Sequence, residues 1–244
     1  MFILKFNHIY YPLCTFQCHF KMVKFAIFLA FCFVCCSSSS VKWPRWAYTL
    51  VKPKAGCPPG WYQGWTFQDN EDYANKNYIS YGHHFFGDEF DDGDFKFYYC
   101  TKPTWLSDSG ESWPRGNYCI LKAWEHGCPW GFDFGSVFWD DEDLFNVNSY
   151  GGAVPSGAFG RDTKINYCCR SDGYYYNAIE LPTADPFYLL RYDSHCQRVK
   201  GMHVREEIVR FDDEDIGNRN YAYGSYPLGA DREDRLLLYC YYWR

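Results

Sequence analysis

Helical periodicity is nearly absent from this 244-residue chain, which excludes a helical bundle and a doubly wound nucleotide-binding fold. An excess of basic residues is absent too: 24 Lys and Arg stand against 30 Asp and Glu, so the electrostatic footprint of a nucleic-acid binder is missing. Beyond residue 40 no stretch is apolar enough to cross a membrane, no C-x2-C pair prepares a zinc site, and no N-x-S/T acceptor for an N-linked glycan occurs. What the chain has in quantity is aromatic residues, 22% of the total, with 20 glycines and 12 prolines. Alternating aromatic runs punctuated by turn residues predict an all-β fold with ample core.

Residues 1–40 are set apart from that fold. Met22, Val23 and Lys24 precede an apolar run from Phe25 to Val34 and the small-residue tract Ser37 to Ser40, the arrangement of a secretory signal that is too short to span a bilayer. Residues 1–21 read as an extension upstream of a second start at Met22. Removing the segment takes Lys5, Lys21 and Lys24 and no acid, moving the formal charge from −6 to −9. It also takes five cysteines and leaves Cys57, Cys100, Cys119, Cys128, Cys168, Cys169, Cys196 and Cys240. An even number in a secreted chain predicts four disulfides. The histidines that remain, His83, His84, His126, His195 and His203, do not flank cysteines at metal-ligand spacing.

A motif D-x-E-D-x-x-N-x-N occurs three times: Asp69, Glu71, Asp72, Asn75, Asn77; Asp140, Glu142, Asp143, Asn146, Asn148; and Asp212, Glu214, Asp215, Asn218, Asn220. The same period relates Trp43-Pro44, Trp113-Pro114 and Leu181-Pro182, then Cys57, Cys128 and Cys196, then Tyr99-Cys100, Tyr167-Cys168 and Tyr239-Cys240. Three repeats, about 43–100, 113–169 and 181–240, therefore make one domain over 41–244. A β-prism-like, pseudo-threefold body is the expected architecture, with a β-trefoil or a β-sandwich as alternatives. Within each unit the early and late cysteines pair, Cys57 with Cys100, Cys128 with Cys168 and Cys196 with Cys240. Adjacent strand residues face opposite ways, so Cys169 turns to Cys119; the swapped pairing of Cys128 with Cys169 stays open at this point.

The acidic repeat offers hard oxygen ligands suited to calcium, though not at EF-hand spacing. The reading we favour is structural. Asp and Asn cap turns and accept backbone N–H groups at each strand end, and the glutamate locks a unit to its neighbour. Glu142 and Asp140 form a carboxylate pair of glycosidase type, but a catalytic site breaks internal symmetry whereas these recur in every unit, so the chain is read as a non-enzyme without cofactor or metal. Flat rings suit sugar faces. Trp61, Trp65, Trp105, Trp130, Trp139 and Trp243 are available, mostly as packing residues, whereas Tyr174, Tyr175, Tyr176, His83 and His84 fall outside the repeat landmarks and are the candidate ligand-binding loops.

Several segments resemble the apextrin C-terminal (ApeC) domain of invertebrate extracellular proteins: Trp113-Pro-Arg-Gly-Asn-Tyr-Cys119, Cys128-Pro-Trp-Gly-Phe132, Gly135-Ser-Val-Phe-Trp-Asp-Asp-Glu-Asp143, Asp162-Thr-Lys-Ile-Asn-Tyr-Cys-Cys-Arg-Ser-Asp-Gly173, Ile179-Glu-Leu-Pro182, Pro186-Phe-Tyr-Leu-Leu190 and Cys196-Gln-Arg-Val-Lys-Gly-Met202. Trp46 departs from the pattern, standing where the family has glycine. The resemblance implies a secreted protein of innate immunity that recognises bacterial cell wall, peptidoglycan or its muramyl peptides, or one with adhesive partners in extracellular matrix or mucus. The perforin-like domain that accompanies the module in some relatives has no counterpart in this sequence, so a pore-forming role is not implied. A looser similarity to egg-envelope proteins with a threefold β-prism is the second support for the expected fold.

Overall fold

Period-two alternation of large apolar residues sets the strands. The computed structural model describes residues 41–70, 76–87, 94–106, 110–141, 146–212, 217–231 and 235–244. The residues before 41, and with them the expected signal segment, lie outside the described residues, as do Glu71, Asp72, Asn75, Glu142, Asp143, Glu214 and Asp215 of the acidic motif. Residues Val41–Arg244 form one compact unit, and no α-helix occurs among the described residues.

The first unit contributes β1 (Tyr48–Val51), β2 (Tyr62–Asp69), β3 (Tyr78–Ile79) and β4 (Asp94–Lys102). The second contributes β5 (Asn117–Lys122), β6 (Asp133–Trp139), β7 (Ser149–Gly152), β8 (Gly157–Phe159) and β9 (Thr163–Ser171), and the third β10 (Phe187–Arg191), β11 (His203–Phe211), β12 (Tyr221–Gly224) and β13 (Arg235–Trp243). All named pairs are antiparallel and join into one open sheet. The last long strand of each unit lies between the first and second: β4 between β1 and β2, β9 between β5 and β6, β13 between β10 and β11. The short third strand pairs outside its own unit, β7 on β2, β12 on β6 and β3 on β11. The first strands meet one another, β1 on β5 and β5 on β10.

Alternation sorts the side chains into two cores. Phe95, Phe97 and Tyr99 of β4, Ile165, Tyr167 and Cys169 of β9, and Leu237, Tyr239 and Tyr241 of β13 enter one cluster with Trp139 and Phe211. Their neighbours Cys100, Cys168, Cys240 and Tyr242 enter the other with Tyr48, Tyr118, Trp61 and Trp113. Burying a side chain of this size removes it from water at roughly 25 cal/mol per Å² of apolar surface, so the two clusters are the main source of stability. Cys168 and Cys169 thus point to opposite cores, and the bridges are Cys57–Cys100, Cys128–Cys168, Cys196–Cys240 and Cys119–Cys169. The last joins residues directly opposite each other on β5 and β9.

Glycine is demanded where the donated strand leaves its host. A Cβ on Gly64 would lie 2.4 Å from the carbonyl carbon of Ala153, and one on Gly135 would lie 2.0 Å from the Ser225 carbonyl oxygen. β11 has Glu207 at the corresponding position, counted back from Asp69, Asp140 and Asp212.

Candidate functional site

The acidic motif builds three joints of one design. Asp69 ends β2; its backbone N–H donates to Asn148 Oδ1 at 2.7 Å, and its Oδ2 accepts from the Val147 N–H at 2.7 Å. Asp140, just beyond β6, repeats this with Asn220 at 2.8 Å and the Arg219 N–H at 2.7 Å. Asp212, just beyond β11, does so with Asn77 at 2.6 Å and the Lys76 N–H at 2.5 Å. Each carboxylate is buried, and each holds the segment that enters β7, β12 or β3. Asn146 and Asn218 close the adjacent turns by accepting from the N–H groups of Asn148 and Asn220. One oxygen of each carboxylate, Oδ2, is thereby committed to a backbone donor. No group of three side chains able to hold a metal occurs among the described residues.

Two of the three motifs carry a second acid directly after the joint Asp, Asp141 and Asp213, the latter outside the described residues. Asp141 is fully buried and accepts from Gln68 Nε2 at 2.8 Å and Asn148 Nδ2 at 2.7 Å. Burial pushes its carboxyl up to about 7, against hydrogen bonds from Thr163, Asn148 and Gln68 that favour the charged form. The folded value lies above the unfolded one, so this group's contribution to stability is greatest below about pH 4 and is lost as the pH rises through 7, a change of order 4 kcal/mol. The first unit has Asn70 at this place. Asp141→Asn is therefore expected to gain stability relative to the parent chain between pH 4 and 8, as read from paired melting curves; a difference independent of pH contradicts this.

His84 is half-exposed and tied down by the third unit. Its backbone N–H and Nδ1 both meet Glu207, at 3.1 Å and 2.7 Å, and its ring stacks on Tyr241 with centroids 4.1 Å apart. Glu207 is fully buried and also accepts from the Tyr188 hydroxyl at 2.6 Å; burial, then the carboxylate, pushes that phenol far upward. His83 lies against Phe85. Tyr174 and Tyr176 stack on each other at 5.3 Å, both more than half exposed, while Tyr175 packs on His195 at 4.4 Å and its carbonyl accepts from the Arg198 N–H. The two loops stand on different supports, His84 on β11 and β13, and Tyr175, in the connection from β9 to β10, on His195 and Arg198 of the connection from β10 to β11.

A third feature draws on scattered residues. A cavity of about 160 Å³ opens beside the ends of β4 and β5, lined in part by Ala47, Tyr62, Lys102, Trp124, Glu125 and Val154. Trp105 donates from Nε1 to the Tyr62 hydroxyl at 3.2 Å. Trp46 precedes Ala47 with a positive φ of 80°, its carbonyl accepting from Lys102 Nζ at 3.4 Å and its ring meeting His126 edge-on. The exposures of Trp46, Tyr62, Trp105 and Trp124 are 46%, 53%, 61% and 57%. Trp105 is among the indoles the sequence offers and Trp46 departs from the family pattern, but no spacing connects residues 46, 62, 105 and 124.

The family model for the C-terminal domain of apextrin matches residues 43–242. Neither the curated proteins nor the solved structures give a match.

Proposed function

This chain belongs to the family of the C-terminal domain of apextrin, and from that premise we propose that it is a secreted, non-enzymatic recognition protein of innate immunity that binds bacterial cell wall through peptidoglycan or muramyl peptide. The observation that carries the reading is the set of half-exposed aromatic rings gathered around one small opening on a cross-linked scaffold. Flat rings bury the apolar faces of sugars while nearby polar groups bond the hydroxyls. Four disulfides agree with an oxidising, extracellular setting.

The scaffold itself is read as a pseudo-threefold prism. Support comes from the cyclic lending of β3, β7 and β12 and from the three like joints at Asp69, Asp140 and Asp212. An acid that recurs at three joints, bonded to backbone N–H groups, serves as a fastener, so neither a cofactor nor calcium is part of the proposal.

The second reading, a component of extracellular matrix or mucus with protein partners, is favoured by the density of cross-links and joints. Insoluble peptidoglycan separates the two. Retention of the protein, competed away by soluble muramyl peptide or glycan fragments, is expected for recognition; no retention, with co-fractionation into matrix, favours the structural role.

A further inference from the structure

The seam between the first and second units is open where the next seam is closed. Between β5 and β10 the buried Gln197 fills the space: its Oε1 accepts from the Asn117 N–H at 2.8 Å and its Nε2 donates to the Asn177 carbonyl at 2.7 Å. Gly116 makes room for it, since a Cβ there would lie 2.7 Å from Gln197 Oε1. Counting from the shared Trp-Pro and Cys landmarks, the first seam has Ala47 for Asn117, Trp46 for Gly116 and Pro129 for Gln197. Pro129 has no side-chain donor or acceptor, and Ala47 lines the cavity.

Trp46 holds a left-handed backbone conformation that bulky residues rarely adopt and that clusters at ligand sites. Tyr62, Trp105 and Trp124 add three more half-exposed rings. Exposed large apolar residues scattered singly need no explanation, whereas a group around one opening marks a binding site. The cavity is smaller than the ~300–1,000 Å³ of a drug-sized site, so it admits the edge of one ring and leaves the flanking indoles to cover its neighbours. The charges disfavour an anion: Lys102 directs its ammonium to the Trp46 carbonyl, Glu125 stands in the wall, and the chain is acidic. Glu125 and the Tyr62 hydroxyl suit sugar hydroxyl groups.

We infer that this cleft binds a neutral, β-linked pyranose strand, whose all-equatorial rings present flat apolar faces to Trp105 and Trp124. The inference rests on the glycan-recognition reading and assigns the glycan strand, not a charged peptide stem, to the cleft.

The test titrates the folded protein with chitotetraose, with α-linked maltotetraose and with muramyl dipeptide, following tryptophan fluorescence and calorimetry. Chitotetraose is expected to bind saturably, with maltotetraose weaker and muramyl dipeptide not competing. Trp124→Ala and Trp105→Ala, both at exposed positions, should each weaken binding about tenfold or more, while Tyr223→Ala, at an exposed position on β12, leaves it unchanged. Absence of saturable chitotetraose binding, or binding by both tryptophan variants as tight as that of the parent chain, overturns the assignment. Peptidoglycan retention that survives both variants overturns the cleft and leaves the proposed function standing; chitotetraose binding lost in the variants, without peptidoglycan retention by the parent chain, does the reverse.

Discussion

Reduction of the four disulfides is expected to unfold the chain at ordinary temperature. The bridges span 43, 50, 40 and 44 residues, and closing loops of that length stabilises by about 4 kcal/mol each in the chain-entropy model. A domain with a net stability of about 5–15 kcal/mol cannot lose several such contributions and stay folded. Three bridges anchor the loops before β2, β6 and β11 to Cys100, Cys168 and Cys240, all in the same core, so their loss frees both the loop and the strand that follows. Circular dichroism melts with and without reductant measure this. Replacing Cys57 and Cys100 together by serine should lower Tm by about 10 °C, from ~2–4 °C per kcal/mol at this size. A fully reduced chain that melts at the oxidised temperature would contradict the account.

Glu207→Ala is expected to be among the most damaging single changes outside the cysteines, at about 3 kcal/mol. The residue is fully buried, and it receives the Tyr188 hydroxyl, the His84 N–H and His84 Nδ1. Truncation leaves those groups facing a void with nothing to accept their hydrogens, and unsatisfied buried donors cost more than the bonds gained. Glu207→Gln keeps the shape and an acceptor and should lose less than half as much. Chemical denaturation of the two variants decides it; equal losses would mean that only packing matters here.

The contrast between Glu207 and its counterparts also explains what the sequence withholds. His203–Phe211 reads as a strand with Arg205, Glu206 and Glu207 in a row, and nothing local distinguishes the buried glutamate from its exposed neighbours, because its partner His84 lies 123 residues away. The lending of strands is hidden for the same reason. Tyr78–Ile79 and Ser149–Gly152 are too short or too rich in glycine to announce a strand, and their hosts belong to other units. The all-β class was legible in the alternation, since period two alone sends Phe95, Phe97 and Tyr99 to one core and Cys100 to the other. The recurrence of Asp and Asn at a fixed spacing marked a fastener, but not which unit each Asp grips.

Of the candidate loops, Tyr174 and Tyr176 are exposed as their place outside the repeat suggested, whereas His84 is half-engaged in the Glu207 cluster. The cleft escaped because its residues come from four separate segments that only the seam between units brings together.

If the repeated carboxyl and amide groups are joints of the scaffold, the melting temperatures of Asp69→Ala, Asp140→Ala and Asp212→Ala, each taken with calcium and again with chelator, show it. Each variant leaves a partner N–H unsatisfied and should lose about 1–3 kcal/mol, with all three falling by similar amounts and calcium without effect on the parent chain. Unchanged melting in the variants, or a parent chain that loses stability when calcium is removed, would contradict it.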